Sequence, residues 1–123
     1  SGVLAIAAAK LGASSVVAFD EDPEALRNAR ENVARNAVSS RVDVQEAELG
    51  TFRGKAAEVV VANLTGAVIQ KYARQLAALV SPGGRLIVSG FSVAEAVPVT
   101  GALAGVVEQE LSEGDWGAAL VRV

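Results

Sequence analysis

The sequence predicts an α/β domain: a mostly parallel sheet flanked by helices on both faces and closed by an antiparallel hairpin. Three observations carry that prediction. Helical and strand patterns alternate along all 123 residues, as β–α–β units require. Two short apolar runs, "VVAF" and "VVVA", read as strands buried on both faces, the usual state of parallel strands. The chain also opens on a glycine turn entering a helix, "SGVLAIAAAKLGA", and the next strand ends in Asp20, 18 residues after Gly2.

Each element follows from its residues. Gly2 to Leu11 is Ala-rich and apolar on nearly every side, which predicts a helix buried over most of its surface. Gly12 is its natural stop. Val16 to Phe19 forms the first strand, ended by Asp20. Asp22 then suits an N-cap, Pro23 the first helical position, and Glu24 the positive helix end. Leu26, Ala29, Val33 and Ala37 recur at helical spacing, Glu31 and Arg35 form an i,i+4 pair, and Asn36 suits the left-handed cap.

Alternation of Val42 and Val44 predicts a strand over Arg41 to Gln45. Glu58 to Ala62 is a second buried strand, with Asn63 at its carboxyl end. Val68, Ile69, Tyr72, Leu76, Leu79 and Val80 share one helix face. "SPGG" at Ser81 to Gly84 predicts a turn, and "RLIVSG" a strand after it. Val93 to Leu103 reads as a helix weakened by Pro98 and Gly101. "GVVEQELSEGDWGAALVRV" reads as two strands joined across "EGDWG".

Composition narrows the chemistry. At 51% apolar but only 4% aromatic, the interior is filled by Ala, Val and Leu. Cysteine is absent, which excludes a disulfide framework and thiolate metal sites and fits a reducing, cytoplasmic compartment. Histidine is absent too, removing the usual general base and the commonest metal ligand, so no metal site is expected. Catalysis would rest on carboxylates, amides, backbone groups or a cofactor. A net charge of −3 gives no electrostatic footprint for nucleic acid, so no direct binding to it is expected. Lys10, Gly12, Ser14 and Ser15 interrupt the N-terminal apolar stretch, so neither a membrane span nor a signal peptide is expected. With no Met anywhere, the chain reads as a trimmed domain.

Ligands of parallel α/β sheets bind beyond the carboxyl ends of the strands, which directs attention to Gly2, Asp20, the segment after Gln45, and Asn63. A carboxylate at Asp20 can accept from both hydroxyls of a ribose; the plain alternative is a turn residue before a helix. Glu46 and Glu48 follow the third predicted strand, where a carboxylate could accept from an adenine amine with Leu49 packing on the ring. The alternative there is a solvated acidic loop. Asn63, read as a buried amide, either caps backbone groups or offers its carbonyl to a substrate amine. Tyr72 reads as core at helical spacing, and Trp116 as an aromatic packing on the sheet.

The stretches "SGVLAIAAAKLGA", "VVAFDEDPEALRNARENVARN", "VVVANLTG", "LAALVSPGGRLIVSG" and "EGDWGAALVRV" together resemble the class I S-adenosylmethionine-dependent methyltransferases. "DEDPEAL" and "SPGG" are general to that class. "VVANLTG" and "EGDWGAALV" resemble the PrmA family in particular, the methyltransferases of large-subunit ribosomal protein L-eleven. The resemblance implies a Rossmann-like fold, S-adenosyl-L-methionine as cofactor, and transfer to a lysine side chain or α-amino group of a ribosomal protein. It places Ser1 and Gly2 at the end of the glycine-rich motif beside the methionine part of the cofactor. Asp20 matches the ribose-binding acid and Glu21 its adenine-side neighbour. Glu48 and Leu49 match the acid-and-apolar pair that meets the adenine. Asn63, with Leu64 and Thr65, matches the motif facing methyl donor and acceptor, which makes Asn63 the candidate catalytic residue.

The sequence also departs from the family. The Gly-x-Gly before Ser1, the first and central strand, and the N-terminal substrate-recognition domain are not in it, and Glu21 is charged where family members usually carry an apolar residue. Residues 1–123 are therefore expected to form one cofactor-binding domain lacking its first strand, with weak cofactor binding and reduced stability when isolated. Methyl transfer from a sulfonium needs positioning and exclusion of water more than acid–base groups, so the lack of His and Cys is no obstacle. Three other readings stay open: an NAD-dependent oxidoreductase, a methyltransferase directed at amides or nucleic acid, and a non-catalytic cofactor-binding fragment. The oxidoreductase lacks a role for the acid after the third strand. The amide and base enzymes commonly carry Asn-Pro-Pro-Tyr where this chain has Asn63-Leu64-Thr65-Gly66.

Overall fold

A computed structural model describes residues 1–123, which divide into two compact units, Ser1–Phe52 and Arg53–Val123.

The first unit holds α1 (Val3–Lys10), β1 (Val16–Asp20), α2 (Pro23–Arg35) and β2 (Val42–Glu46). β1 and β2 pair in parallel, from Val16 opposite Val42 to Asp20 opposite Glu46. Ala5, Ile6 and Ala9 of α1 cluster with Val33, Val38 and Val42, and Val16, Ala18 and Val44 pack against them. The helices thus cover the Val16/Ala18 face of β1. This corrects two expectations. α1 is buried along one stripe only, leaving Val3, Leu4 and Leu11 exposed. β1 is not buried on both faces: Val17 is 50% exposed, on the face opposite the helices, where the Phe52 ring stacks on Phe19.

Both helix ends are set by local hydrogen bonds. Gly12 (φ 112°) ends α1, its N–H donating to the Ala9 carbonyl while that of Ala13 donates to the Ala8 carbonyl. This paired pattern is a Schellman motif. α2 starts with the Asp22 Oδ1 accepting from the Glu24 N–H at 3.0 Å. Its far end repeats the Schellman pattern one residue later than expected. Ala37 (φ 58°), not Asn36, takes the left-handed position. Val38, next to it, donates back to the Val33 carbonyl and joins Val33 in the core, which fixes the turn.

The second unit holds β3 (Ala57–Asn63), α3 (Gly66–Lys71), α4 (Ala73–Ala78), β4 (Val80–Ser92), a 3₁₀ turn (Val93–Glu95), α5 (Ala96–Ala102), β5 (Val106–Glu113) and β6 (Trp116–Arg122). Its sheet runs β3-β4-β6-β5, with β3 and β4 parallel and the other pairs antiparallel. The final hairpin closes through Gly114 and Asp115, with Glu113 opposite Trp116. Leu86, Val88, Phe91 and Val121 form the buried sheet face with Ile69, Leu76 and Val99 from the helices.

Here too the sequence reading needs correction. The helix predicted through Val80 breaks at Tyr72 (φ −108°) into α3 and α4, and Val80 belongs to β4. Tyr72 is only half-buried, with the Lys71 Nζ 5.1 Å from its ring centre. "SPGG" is a bulge within β4 rather than a turn before it: Val80 pairs with Ala57, and the next pair is Arg85 with Val59. The Gly83 N–H in that bulge bonds the Val123 carbonyl at 2.8 Å. Val59 and Val61 of β3 are 54% and 40% exposed, and Trp116 is 65% exposed rather than packed on the sheet. All three lie on the sheet face that no helix of this unit covers.

The strands form two sheets, β1-β2 and β3-β4-β6-β5, in keeping with the expected lack of the first, central strand: β1 pairs only with β2, and β3 only with β4. No helix in the structure is long and apolar enough to cross a membrane.

Candidate functional site

The expected site residues fall six in the first unit and two in the second. Ser1 and Gly2 precede α1. Gly2 caps it at φ 77°, and a Cβ there would lie 3.2 Å from the Ala29 Cβ and 3.3 Å from the Ala29 Cα. Conformation and space both call for glycine. The Asn32 Nδ2 donates to the Ser1 carbonyl at 2.9 Å, one turn beyond Ala29 on α2. The opening peptide is thus seated on the helix that follows Asp20.

Asp20 is exposed at the carboxyl end of β1. Its Oδ1 accepts from the Asp22 N–H at 3.0 Å, which leaves Oδ2 without a protein donor. Its carbonyl accepts from the Ala47 N–H at 3.0 Å, tying the strand end to the acidic loop. In that loop the Glu48 carbonyl accepts from the Thr51 and Phe52 N–H groups at 3.2 and 2.9 Å. The tight turn brings Phe52 back onto Phe19, ring centres 4.1 Å apart and planes 6° from parallel. Glu48 and Glu21 are exposed and Leu49 is half-buried. The sequence-based reading missed Asn32 and the Phe19–Phe52 pair; nothing in their local pattern marks a long-range contact.

In the second unit Asn63 ends β3, exposed rather than buried, because it continues the uncovered Val59/Val61 face. Its Oδ1 accepts from the Ser89 Oγ at 3.3 Å, and the Leu64 N–H donates to the Ser89 carbonyl at 2.9 Å. Half-buried Leu64 leads to Thr65, which caps α3 by accepting from the Val68 N–H at 3.4 Å. Gly90, beneath this turn, also escaped the sequence-based reading. Its signal was available: a glycine inside an apolar strand pattern marks a bulge or a close backbone approach.

The first unit thus holds a glycine-capped helix and exposed carboxylates at and after its strand ends, and the second an amide on a braced turn at a strand end. The structure defines the class: a Rossmann-like α/β domain of the class I methyltransferase type. It superposes on a ribosomal protein L11 methylase from Lactobacillus delbrueckii subsp. bulgaricus with a TM-score of 0.90 at 30% identity, over 98% of this chain and 64% of that one. An RNA methyltransferase from Salinibacter ruber shares the fold at a TM-score of 0.79 and 21% identity, over 98% of this chain and 73% of that one.

The family profile for ribosomal protein L11 methyltransferase (PrmA) matches residues 1–122, and the chain belongs to that family. It is 40% identical to the ribosomal protein L11 methyltransferase of Heliobacterium modesticaldum over 99% of its own length and 40% of the relative's. The enzyme of that name from Pelotomaculum thermopropionicum is 44% identical over 100% of this chain and 41% of the relative. The chain thus spans about two fifths of the length of these relatives.

Proposed function

We propose that this chain is the cofactor-binding part of an S-adenosyl-L-methionine-dependent methyltransferase. In this reading its acceptor is an amine, a lysine side chain or α-amino group, of ribosomal protein L11. The observation that carries the proposal is Asp20, held at a strand end by its own turn with Oδ2 free to accept from a ribose. The glycine peptide at Ser1–Gly2 would lie along the methionine part. Glu48 would accept from the adenine amine, with Leu49 and Glu21 flanking the ring. When bound, the cofactor supplies an electrophilic methyl group on a sulfonium.

The chain's residues then orient and desolvate the partners. Asn63, at the end of β3, would accept from the substrate amine through Oδ1, holding the deprotonated nitrogen in line, while Leu64 adds an apolar wall. Proton loss to solvent leaves no need for a histidine. Residues 1–123 act as one binding domain in this reading. Its open edges at β1 and β3 lower its stability and affinity when it is isolated.

Calorimetric titration with S-adenosylmethionine, and separately with NAD, tests the reading. Binding of the first and not the second is expected. Binding of NAD alone overturns it in favour of an oxidoreductase. Transfer of a labelled methyl group to an amide or nucleic acid instead of the ribosomal protein would overturn the acceptor.

A further inference from the structure

We propose that Ser89 and Gly90 are positioning residues that aim the Asn63 amide, a role resting on the assignment of Asn63 above. Ser89 lies directly across the parallel β3/β4 pair from Asn63. It makes two bonds to the turn above it. Its Oγ–H donates to the Asn63 Oδ1 at 3.3 Å, and its carbonyl accepts from the Leu64 N–H at 2.9 Å. One residue therefore holds both the amide oxygen and the backbone that leaves it. A carbonyl oxygen has two acceptor lone pairs. Ser89 takes one and fixes the amide's rotation; the second stays open to a donor, which is what an amine acceptor needs.

Gly90 completes the device. It sits where the β4/β6 register skips between Ser89 and Phe91, with φ at 96°. A bulge alone explains that dihedral, but not the space above it. A Cβ at Gly90 would stand 2.6 Å from the Asn63 Oδ1 and 2.6 Å from the Leu64 carbonyl oxygen. The Leu64 oxygen is backbone and cannot swing aside, and the Asn63 oxygen is held by Ser89. Any side chain here would push the amide off the Ser89 hydroxyl. The glycine thus keeps clear the two oxygens that define the turn.

The test uses the full chain with Ser89→Ala, Ser89→Thr, Gly90→Ala, Asn63→Ala and the Ser89→Ala/Asn63→Ala double variant. The first readout is the NMR signal of the Asn63 side-chain amide, which needs no activity. The second is methyl transfer from S-adenosylmethionine to ribosomal protein L11. Ser89→Ala should shift and broaden the Asn63 amide signal and lower kcat about five- to tenfold, the worth of one neutral hydrogen bond. The S-adenosylmethionine Kd should not move, and Ser89→Thr should restore both readouts. In the Asn63→Ala background Ser89→Ala should cost nothing further. Gly90→Ala should act in the same direction and more strongly. An Asn63 amide signal unmoved by Ser89→Ala overturns the proposal, as does an equal loss of kcat in the Asn63→Ala background. If the unmodified protein binds NAD and not S-adenosylmethionine, the functional reading falls by itself, and the amide signal still decides the positioning.

Discussion

The Val38 N–H donates to the Val33 carbonyl at 3.2 Å across the end of α2, and Ala37 between them is the only residue besides glycine with a positive φ. The apolar pair stays in the core, and Ala37 bears the strain. A left-handed residue with a Cβ costs about 1–2 kcal/mol, more than the entropy a glycine adds to the unfolded chain, about 0.4–1 kcal/mol. Ala37→Gly should therefore stabilise the protein, by up to about 1 kcal/mol. Urea unfolding would show a higher midpoint with an unchanged slope. A lower midpoint would mean that the strain is relieved in another way.

In Asp20 the turn contact and the proposed ribose contact fall on different oxygens of one carboxylate. In Asp20→Asn the amide oxygen still accepts from Asp22, the bond now made by Oδ1, so the thermal midpoint should hold. The charge and the second acceptor, on Oδ2, are lost. Hydrogen bonds to charged groups are worth about 1.5–3 kcal/mol, so S-adenosylmethionine binding should weaken at least tenfold by calorimetry. Retained affinity would remove Asp20 from the site.

The Phe52 ring reaches back from the acidic loop to Phe19, next to Asp20 in the chain. Its loss would remove the aromatic tie and leave the Ala47 bond to the Asp20 carbonyl in place. A stacked pair contributes about 0.5–1.5 kcal/mol beyond its buried area. Phe52→Ala should weaken cofactor binding several-fold, and Phe52→Tyr should preserve it. Loss of stability with unchanged affinity would make the pair a fold element only.

Such long-range pairs mark the limit of what the sequence shows. Local signals were legible: Asp22–Pro23 starts α2, Gly12 ends α1, and the "VVVA" run is a strand with Asn63 at its end. The placing of Gly2, Asp20 and Asn63 at element ends was legible too, because the local pattern gives those ends. What was not legible depended on what lies across from an element. "VVAF" and "VVVA" carry no mark of what lies on either face, so their pattern predicts burial of Val17, Val59 and Val61, which are exposed. "SPGG" has turn chemistry, and its bulge state follows from β3 pairing on both sides of it. Asn36 and Ala37 differ in cap preference, but the Val33–Val38 contact set which of them turns left-handed.

Gly2 carries two demands at once, which makes its substitution informative. Its φ of 77° disfavours any Cβ, and the added methyl would sit 3.2 Å from the Ala29 Cβ. Relief by moving α1 off α2 would lengthen the Asn32–Ser1 bond and shift the opening peptide. Backbone strain of this kind costs about 1–3 kcal/mol, and crowding in a packed contact adds to it. Gly2→Ala should lower stability by at least about 1 kcal/mol and weaken cofactor binding. Ala29→Gly in the same chain should recover the part due to crowding and leave the part due to φ. Thermal unfolding of both variants measures the split. Full recovery by Ala29→Gly would show that space, not backbone conformation, selects glycine at this position.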